Sequence, residues 1–344
     1  MNNIFDFEIN IKENRNIKIL QLTDFQPVDF SQQRYEDRLH GIKAAPFGEK
    51  MRQKIVYQYV DKLVNENKPD LILITGDYVY GEFDDSGENL ISLSNHMNSF
   101  NIPWAPIFGN HDNESKKGVA WQCEQLENYS HCFFKRGNVT GNGNYTIGVF
   151  QNNKLVKAIF MVDSNGCANG KTYSYLKDYP SYNLDEKIET RAGIFEDQIN
   201  WIDIKSKEID KEYGTNKKII CAHVPPSILV QISFEDGYQS NAEYTNDEHY
   251  TLGVDKVAKN GDFGTKGEIF ATFPSQKLWP VLKKNNFTHF FTGHDHNNNI
   301  SILCDGIRVT FGVKTGTGDY YNQIGGTLIT LDNDNVNIEH IFIE

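Results

Sequence analysis

Short apolar runs recur along this 344-residue chain, and amphipathic segments separate them. Asp70–Thr75 (DLILIT) is one such run, and it follows Lys50–Asn67, in which Ile55, Tyr59 and Leu63 are spaced four residues apart. That spacing places side chains on one face of a helix, whereas a short continuous apolar run is typical of a strand buried on both faces. Alternation of the two patterns predicts an α/β fold, in which helices cover a sheet.

The same two patterns assign most of the remaining chain. The other predicted strands are Asn16–Leu22, Trp104–Phe108, Val156–Val162, Lys218–Ala222 and Thr288–Thr292, and the other predicted helices are Glu88–Phe100, Val119–Tyr129, Phe195–Tyr213 and Ser275–Lys284. Near the C-terminus the predicted strands follow one another without helices: Ile300–Leu303, Ile307–Gly312, Gly325–Leu331 and Val336–Ile343. We expect these four to form a meander that closes a second sheet. No repeat or linker divides the sequence, so we expect one domain over residues 1–344.

Polar residues follow five of the predicted strands. The loops begin with Thr23–Gln26 (TDFQ), Gly76–Tyr80 (GDYVY), Gly109–Asp112 (GNHD), His223–Pro226 (HVPP) and Gly293–His296 (GHDH). Because the carboxyl ends of the strands form the ligand crevice of an α/β sheet, these loops should deliver their side chains to one place. Carboxylate, amide and imidazole groups together suit Zn, Mn or Fe better than Mg or Ca. A shared carboxylate such as Asp77 would hold two ions about 3.5–4 Å apart.

Taken singly, each loop has an ordinary explanation. Gly-Asp and Gly-Asn-His-Asp are rich in turn-forming residues, and a lone His223 is more often an interior histidine. Gly293–His296 is stronger, because two imidazoles two residues apart beyond a strand are difficult to place in a core. The joint occurrence of all five loops at strand ends favours a metal site.

The charge balance is strongly acidic, with 34 basic and 46 acidic residues and a net charge of −12. Nucleic-acid binding is not expected, because it requires clustered Lys and Arg that face phosphates. An anionic substrate would need a local positive charge, which bound metal ions can supply.

The five loops resemble the ordered blocks of the calcineurin-like metallophosphoesterase superfamily: Asp-x-His, Gly-Asp, Gly-Asn-His-(Asp/Glu), His and Gly-His-x-His. Phe108–Ser115 (FGNHDNES), Gly293–Asn298 (GHDHNN) and Gly312–Gly318 (GVKTGTG) are similar to its purple-acid-phosphatase-like branch. The resemblance implies a four-layer α/β/β/α sandwich with two mixed sheets.

The resemblance also implies two metal positions and a catalytic group. The implied ligands are Asp24, Asp77 and His296 at one position and Asp77, Asn110, His223 and His294 at the other. His111 matches the family residue that contacts the substrate phosphate or protonates the leaving oxygen, and we group the adjacent Asp112 with it as a catalytic candidate.

Gln26 departs from the superfamily pattern, which usually has His at this position as a ligand of the first metal. A neutral amide oxygen is a poorer donor to a transition metal, so the change alone predicts a weakened first site. Purple acid phosphatases also lack this His and supply a tyrosinate three residues after the bridging Asp, and Tyr80 has that spacing from Asp77. Because a phenol has a pKa of about 10, a phenolate ligand favours Fe(III). The alternative is that Tyr80 only packs in its loop.

The predicted activity is phosphomonoester hydrolysis with two metal ions. We favour Fe(III) with divalent Fe, Zn or Mn, and otherwise two Mn or two Zn; the substrate would be a phosphorylated small molecule or protein. The alternatives are a phosphodiesterase that uses the same metals, and a catalytically weakened metal-binding protein, because of Gln26.

Two further expectations concern location and substrate choice. The start (MNNIFDFEIN) carries Asp6 and Glu8 where a signal peptide needs apolar residues, which predicts a cytoplasmic protein, or a secreted or vesicular one if a leader was removed. No apolar run is long enough to span a membrane. The long segment Ser227–Phe273, which is rich in polar and aromatic residues, is expected to overhang the metals and select the substrate.

Overall fold

Two β-sheets form the centre of the protein in the computed structural model, which describes residues 4–32, 52–166, 192–229, 250–252, 261–264, 267–269, 273–316, 323–332 and 335–343. The strands are β1 Phe7–Ile11, β2 Ile17–Leu22, β3 Leu71–Thr75, β4 Trp104–Ile107, β5 Tyr145–Gln151, β6 Lys154–Met161, β7 Lys218–Cys221, β8 Tyr250–Leu252, β9 Gly267–Ile269, β10 Phe287–Thr292, β11 Ser301–Cys304, β12 Ile307–Phe311, β13 Gly325–Asp332 and β14 Asn335–Phe342. The α-helices are α1 Arg52–Asn67, α2 Glu88–Ser99, α3 Val119–Glu127, α4 Glu196–Tyr213 and α5 Leu278–Lys284.

Both large sheets mix parallel and antiparallel pairs. The seven-stranded sheet has the order β1-β5-β6-β7-β10-β12-β11, and the five-stranded sheet has the order β14-β13-β2-β3-β4. Parallel neighbours β2, β3 and β4 end at the same edge of their sheet, as do β6, β7 and β10. This arrangement brings the loops after several strands to one side of the molecule.

Helices cover the outer face of each sheet, so the layers run α/β/β/α. One apolar core joins the inner faces of the two sheets and extends to α1, α2 and α3 through residues such as Val60, Leu93 and Leu126. The other core lies between the seven-stranded sheet and helices α4 and α5, which contribute Ile202 and Leu282. The predicted fold class, two mixed sheets in an α/β sandwich, is therefore confirmed.

The C-terminal strands differ from the predicted meander. β11 and β12 pair antiparallel with each other, and β12 continues the sheet beside β10. β13 and β14 instead extend the five-stranded sheet from β2. The meander was wrong because strands that follow one another along the chain can join different sheets, and a sequence pattern does not specify which edge is unfilled.

Two strands of the large sheets, β1 and β5, were not predicted, and neither were the short strands β8 and β9. β1 lies at the edge of the seven-stranded sheet and has one buried residue, Ile9, so it lacks a continuous apolar run. β5 contains Gly148, which weakens the strand signal; a Cβ there would collide with the rings of Phe5 and Phe150.

Most of Ser227–Phe273, the predicted substrate-selecting segment, lies outside the described residues, apart from its ends and a few short pieces that include the pair β8 and β9. Among the helices that are described, none has the length and apolarity to cross a membrane.

Candidate metal centre

The five loops predicted to converge meet where strand ends of both sheets come together. The five-stranded sheet supplies Asp24 after β2, Asp77 after β3 and Asn110 after β4. The seven-stranded sheet supplies His223 after β7, and His294 and His296 after β10. All six predicted loop ligands therefore lie at one site. A donor atom of each lies within 3.3 Å of a donor atom of at least one other.

Four side chains form what we call the Asn110 cluster: Asp77, Asn110, His223 and His294. Asn110 Oδ1 lies 3.1 Å from His223 Nε2 and 3.0 Å from His294 Nδ1. His223 Nε2 is also 3.3 Å from Asp77 Oδ1. Two imidazole nitrogens and two oxygens thus face one another at short range, which is the donor set that a Zn, Mn or Fe ion accepts.

A second group, which we call the Asp24 cluster, contains Asp24, Gln26, His296 and the same Asp77. His296 Nε2 lies 3.3 Å from Asp24 Oδ1. Gln26 Nε2 donates a 2.6 Å hydrogen bond to Asp77 Oδ2. Donor atoms of Asp24, Asp77 and His223 lie within 4.8 Å of one another, so the two clusters are continuous. Asp77 Oδ1 faces His223 in the Asn110 cluster, and Asp77 Oδ2 faces Gln26 in the Asp24 cluster.

Hydroxyl and main-chain groups around the clusters fix the orientation of the ligands. His223 Nδ1 donates to the carbonyl oxygen of Thr75 at 2.8 Å, which leaves the Nε2 lone pair for a cation. Thr23 Oγ1 donates to Asp24 Oδ2 at 2.7 Å, and Thr292 Oγ1 donates to the carbonyl oxygen of His223 at 2.5 Å. Sequence reasoning missed these partners; the signal was a Thr before Asp24 and a Thr at the ends of β3 and β10.

The backbone at the clusters is held in an unfavourable conformation. Asp24, Gln26, Asp77 and His294 have φ values of 52°, 39°, 48° and 76°, in the left-handed region that side chains other than glycine rarely adopt. Most other left-handed non-glycine residues among those described are Asn or Asp. Such strain concentrates at functional sites because the surrounding contacts must enforce it.

Two of the loop glycines are required by close approach. A Cβ on Gly109 would collide with the Asp77 carboxylate, and a Cβ on Gly293 would collide with Thr23 Oγ1 and lie 2.8 Å from Asp24 Oδ2. The glycines that precede the predicted ligands therefore make room for the ligand carboxylates.

Electrostatics at the clusters favour a bound cation. Burial opposes the charge of His223, but the adjacent Asp77 carboxylate outweighs it and raises the pKa of His223 to about 9. Burial would also raise the pKa of Asp77, yet His223 and His111 hold it well below its usual range. Desolvation lowers the pKa of His294 to about 3, so its imidazole is neutral, as a metal ligand must be. The carboxylates of Asp77 and Asp24 thus favour a positive charge at His223.

His111 lies at the solvent-facing side of the site. Its main-chain N–H donates to Asp77 Oδ1 at 2.9 Å, and its side chain is 17% exposed. Asn110, His294 and His296 are also half-buried, whereas Asp24, Asp77 and His223 are buried. A substrate can therefore reach the clusters from the side on which His111 lies.

Asp112 lies beside His111 in the chain and is held by main-chain groups. Its carboxylate accepts hydrogen bonds from the main-chain N–H groups of Gly109 at 2.6 Å, Val79 at 2.8 Å and Tyr78 at 3.2 Å. The side chain is fully buried. Its hydrogen bonds connect the loop that carries Asp77 to the loop that carries Asn110. Both carboxylate oxygens accept from the backbone, and the predicted catalytic role of Asp112 beside His111 stays a prediction.

Tyr80 lies beside His111. The two ring centroids are 4.3 Å apart with an interplanar angle of 31°, and the ring also packs edge-on against Phe83. The buried ring belongs to a small apolar cluster with Val28 and Phe83. These contacts agree with packing in the loop, and coordination by the Tyr80 hydroxyl stays a prediction.

Comparison with known proteins identifies relatives. Residues 17–298 match the family model described as calcineurin-like phosphoesterase. The chain is 28% identical over 174 residues to phosphatase DCR2 of Saccharomyces cerevisiae, a match that covers 43% of this chain and 30% of the yeast protein. It is 22% identical over 284 residues to probable inactive purple acid phosphatase 14 of Arabidopsis thaliana, which covers 78% of this chain and 63% of the plant protein.

The match to phosphatase DCR2 and one to a Schizosaccharomyces pombe protein cover 30% and 37% of those proteins, so the chain spans about a third of their length. Among solved structures, a dimetal phosphatase from Danio rerio superposes with a TM-score of 0.54 at 13% identity, covering 94% of this chain and 95% of that one. This likeness shows a shared fold.

Proposed function

The chain belongs to the calcineurin-like phosphoesterase family, and from that premise we propose that it hydrolyses phosphomonoesters with two metal ions bound at the Asp24 and Asn110 clusters. The observation that carries the proposal is the sharing of Asp77, one carboxylate oxygen of which lies in each cluster. Asn110, His223 and His294 would complete the ligand set of one ion. Asp24 and His296 would hold the other. One domain is proposed to carry the whole site.

Bound metal ions supply Lewis acidity that offsets the charge of the phosphate and activates water. The residues of the chain do the remaining work. The buried Asp24, Asp77 and His223 exclude solvent from the inner side of the site. His111, which is partly exposed next to Asn110, donates a proton to the leaving oxygen. Positioning and charge stabilisation then account for most of the rate enhancement.

The identity of the metals is proposed from Tyr80 and Gln26. Tyr80 stands three residues after Asp77, where a phenolate would replace the missing imidazole, and its ring lies within 4.3 Å of His111. We propose Fe(III) at the Asp24 cluster and divalent Fe, Zn or Mn at the Asn110 cluster. Loading with iron should give a violet charge-transfer band that Tyr80→Phe removes. A colourless iron-loaded protein with full activity would exclude Tyr80 as a ligand.

A second candidate is a metal-binding protein with little catalytic activity. The hydrogen bond from Gln26 Nε2 to Asp77 Oδ2 favours it, because an N–H group directed at the bridging oxygen competes with a cation. The similarity to a plant protein named as a probable inactive purple acid phosphatase also supports this second candidate.

Metal content and turnover of the purified chain decide between the candidates. Two metals per chain with hydrolysis of 4-nitrophenyl phosphate support the phosphomonoesterase. One metal per chain without turnover supports the second candidate. Faster hydrolysis of bis(4-nitrophenyl) phosphate than of the monoester would instead indicate a phosphodiesterase that uses the same site.

A further inference from the structure

A buried carboxylate lies next to His111 and belongs to neither cluster. Glu114 Oε2 is 2.9 Å from His111 Nδ1, and the Glu114 side chain has no exposed surface. No role was predicted for this residue from the sequence. Its position three residues after His111, across a short 3₁₀ turn over Asp112–Glu114, places the two side chains side by side.

The contact determines which nitrogen of His111 can meet a substrate. We assign His111 Nδ1 as the donor in this contact, because a carboxylate accepts hydrogen bonds. His111 Nε2 is then the ring nitrogen left for the leaving oxygen, and it can give up a proton only from the imidazolium, which carries hydrogen on both ring nitrogens. The same bond also limits rotation of the imidazole about its side-chain torsions.

Other contacts complete the placement of His111. Its main-chain N–H donates to Asp77 Oδ1, and its carbonyl oxygen accepts from the N–H groups of Gly81 at 3.0 Å and Glu114 at 3.2 Å. The Tyr80 ring covers the imidazole. The main-chain bond from Glu114 already closes the turn, so the carboxylate is not needed for that purpose. Its contact with Nδ1 has a separate consequence, which is the orientation of the ring.

We propose that Glu114 is a positioning residue, which accepts a hydrogen bond from Nδ1–H of the His111 imidazolium and holds its Nε2–H in the orientation that protonates the leaving oxygen of the substrate. This inference rests on the proposed phosphomonoester hydrolysis. It adds to that activity the residue, Glu114, that orients the proton donor His111.

The leaving group provides the test. Phenyl phosphate releases a phenolate whose conjugate acid has a pKa of about 10, so it depends on protonation. 4-Nitrophenyl phosphate releases a much weaker base and depends on it far less. For Glu114→Ala in the metal-loaded chain, we expect kcat to fall about 10–100-fold with phenyl phosphate, a part of what a general acid contributes. With 4-nitrophenyl phosphate the fall should be several times smaller, and KM and metal content should not change.

Conservative and neighbouring variants separate positioning from a structural role. Glu114→Gln retains an oxygen that accepts from Nδ1, so it should recover most of the rate on phenyl phosphate. Ser115→Ala is the matched control, because it removes the bond from Ser115 Oγ to the Asp84 carbonyl oxygen in the same loop without touching His111. It should lower stability but leave the ratio of the two rates unchanged. Equal losses on both substrates in Glu114→Ala, or no loss, would overturn the proposal.

Proton NMR of the Zn-loaded chain gives a readout that does not require turnover. A downfield Nδ1–H resonance, assigned by its loss in His111→Ala, should persist in Glu114→Gln and vanish in Glu114→Ala. If Glu114→Ala fails to fold, Glu114→Asp, which withdraws the carboxylate by one methylene, should weaken the resonance and give the same selective loss on phenyl phosphate. Absence of the resonance from the unmodified chain overturns the proposal. Its presence in a chain that hydrolyses neither ester refutes the proposed hydrolysis, while the bond between Glu114 and His111 stands.

Discussion

The Asn110 and Asp24 clusters share Asp77 but differ in how their remaining donors are arranged. In the Asn110 cluster, contacts of 3.0–3.3 Å link the side-chain oxygens and nitrogens. In the Asp24 cluster, an amide N–H group of Gln26 points at the shared carboxylate. The donor atoms of the Asn110 cluster are therefore already close together. In the Asp24 cluster, the Gln26 amide must release its hydrogen bond to Asp77, or rotate, before the donor atoms can surround an ion. Binding at the Asn110 cluster should therefore be the more robust.

Removing one imidazole should have the largest effect. His223→Ala deletes a proposed ligand of the Asn110 cluster, so we expect one metal per chain to be lost. Turnover should fall more than about 100-fold, because loss of a residue that only hydrogen-bonds a metal ligand already costs up to about that much. Metal analysis with steady-state kinetics measures both. His131→Ala, which changes a half-buried histidine outside the clusters, should retain both metals. Full activity of His223→Ala would mean that the Asn110 cluster is not the main metal position.

Asp112→Ala should damage stability rather than chemistry. The change leaves the buried N–H groups of Gly109, Tyr78 and Val79 without their acceptor. Since each of these three unsatisfied buried groups costs about 1–3 kcal/mol, the free energy of unfolding should fall by about 3–9 kcal/mol in urea denaturation. His111→Ala should instead retain the metals and lower turnover about 10²–10⁴-fold. An Asp112→Ala protein of normal stability without turnover would instead support the predicted catalytic role of Asp112.

Acidity should affect metal binding at the Asn110 cluster. In the metal-free chain the pKa of His223 is raised to about 9, so the imidazole is protonated below that pH and a metal ion must displace the proton. Affinity should therefore rise with pH, about tenfold per unit between pH 7 and 9, with release of one proton per ion bound. Calorimetric titration with Mn²⁺ in buffers of different ionisation enthalpy measures both quantities. An affinity that is constant above pH 7 would show that His223 has an ordinary pKa.

Gln26→His should strengthen the weaker cluster. The change removes the N–H group that faces Asp77 Oδ2 and adds an imidazole, so affinity for Zn or Mn at the Asp24 cluster should rise by about tenfold, the lower end of the effect of outer partners on metal affinity. Gln26→Ala is the control, because it frees Asp77 without adding a donor. Equal affinities in the two variants would mean that only the hydrogen bond of Gln26 matters.

The sequence predicted the location of the site better than the arrangement around it. Asp24, Asp77 and His223 directly follow apolar strands, and parallel strands end at a common edge, so their meeting followed from the strand assignment alone. Their roles as ligands stay predictions. The left-handed backbone conformations of Asp77 and His294 could not be predicted from the sequence, because glycine, the usual signal for positive φ, does not occupy those positions.

Other features depended on contacts between distant parts of the chain. Asp112 looked like part of a catalytic motif, but its carboxylate accepts from Val79, which lies 33 residues away along the chain. Glu114 gave only an i, i+3 spacing from His111, and the path of the intervening turn decides whether the side chains meet. The change of sheet after β12 also depended on which sheet edges were open.

The origin of the ligands in two sheets has a mechanical consequence. Asn110 extends from one layer of the sandwich and His223 from the other, so an ion held between them would fasten the layers together at one end. An ion present at 100 times its dissociation constant stabilises the folded state by about 2.7 kcal/mol. Chelation should therefore loosen that end first, and main-chain amides near the ends of β4 and β7 should exchange with deuterium sooner than those at the opposite edge.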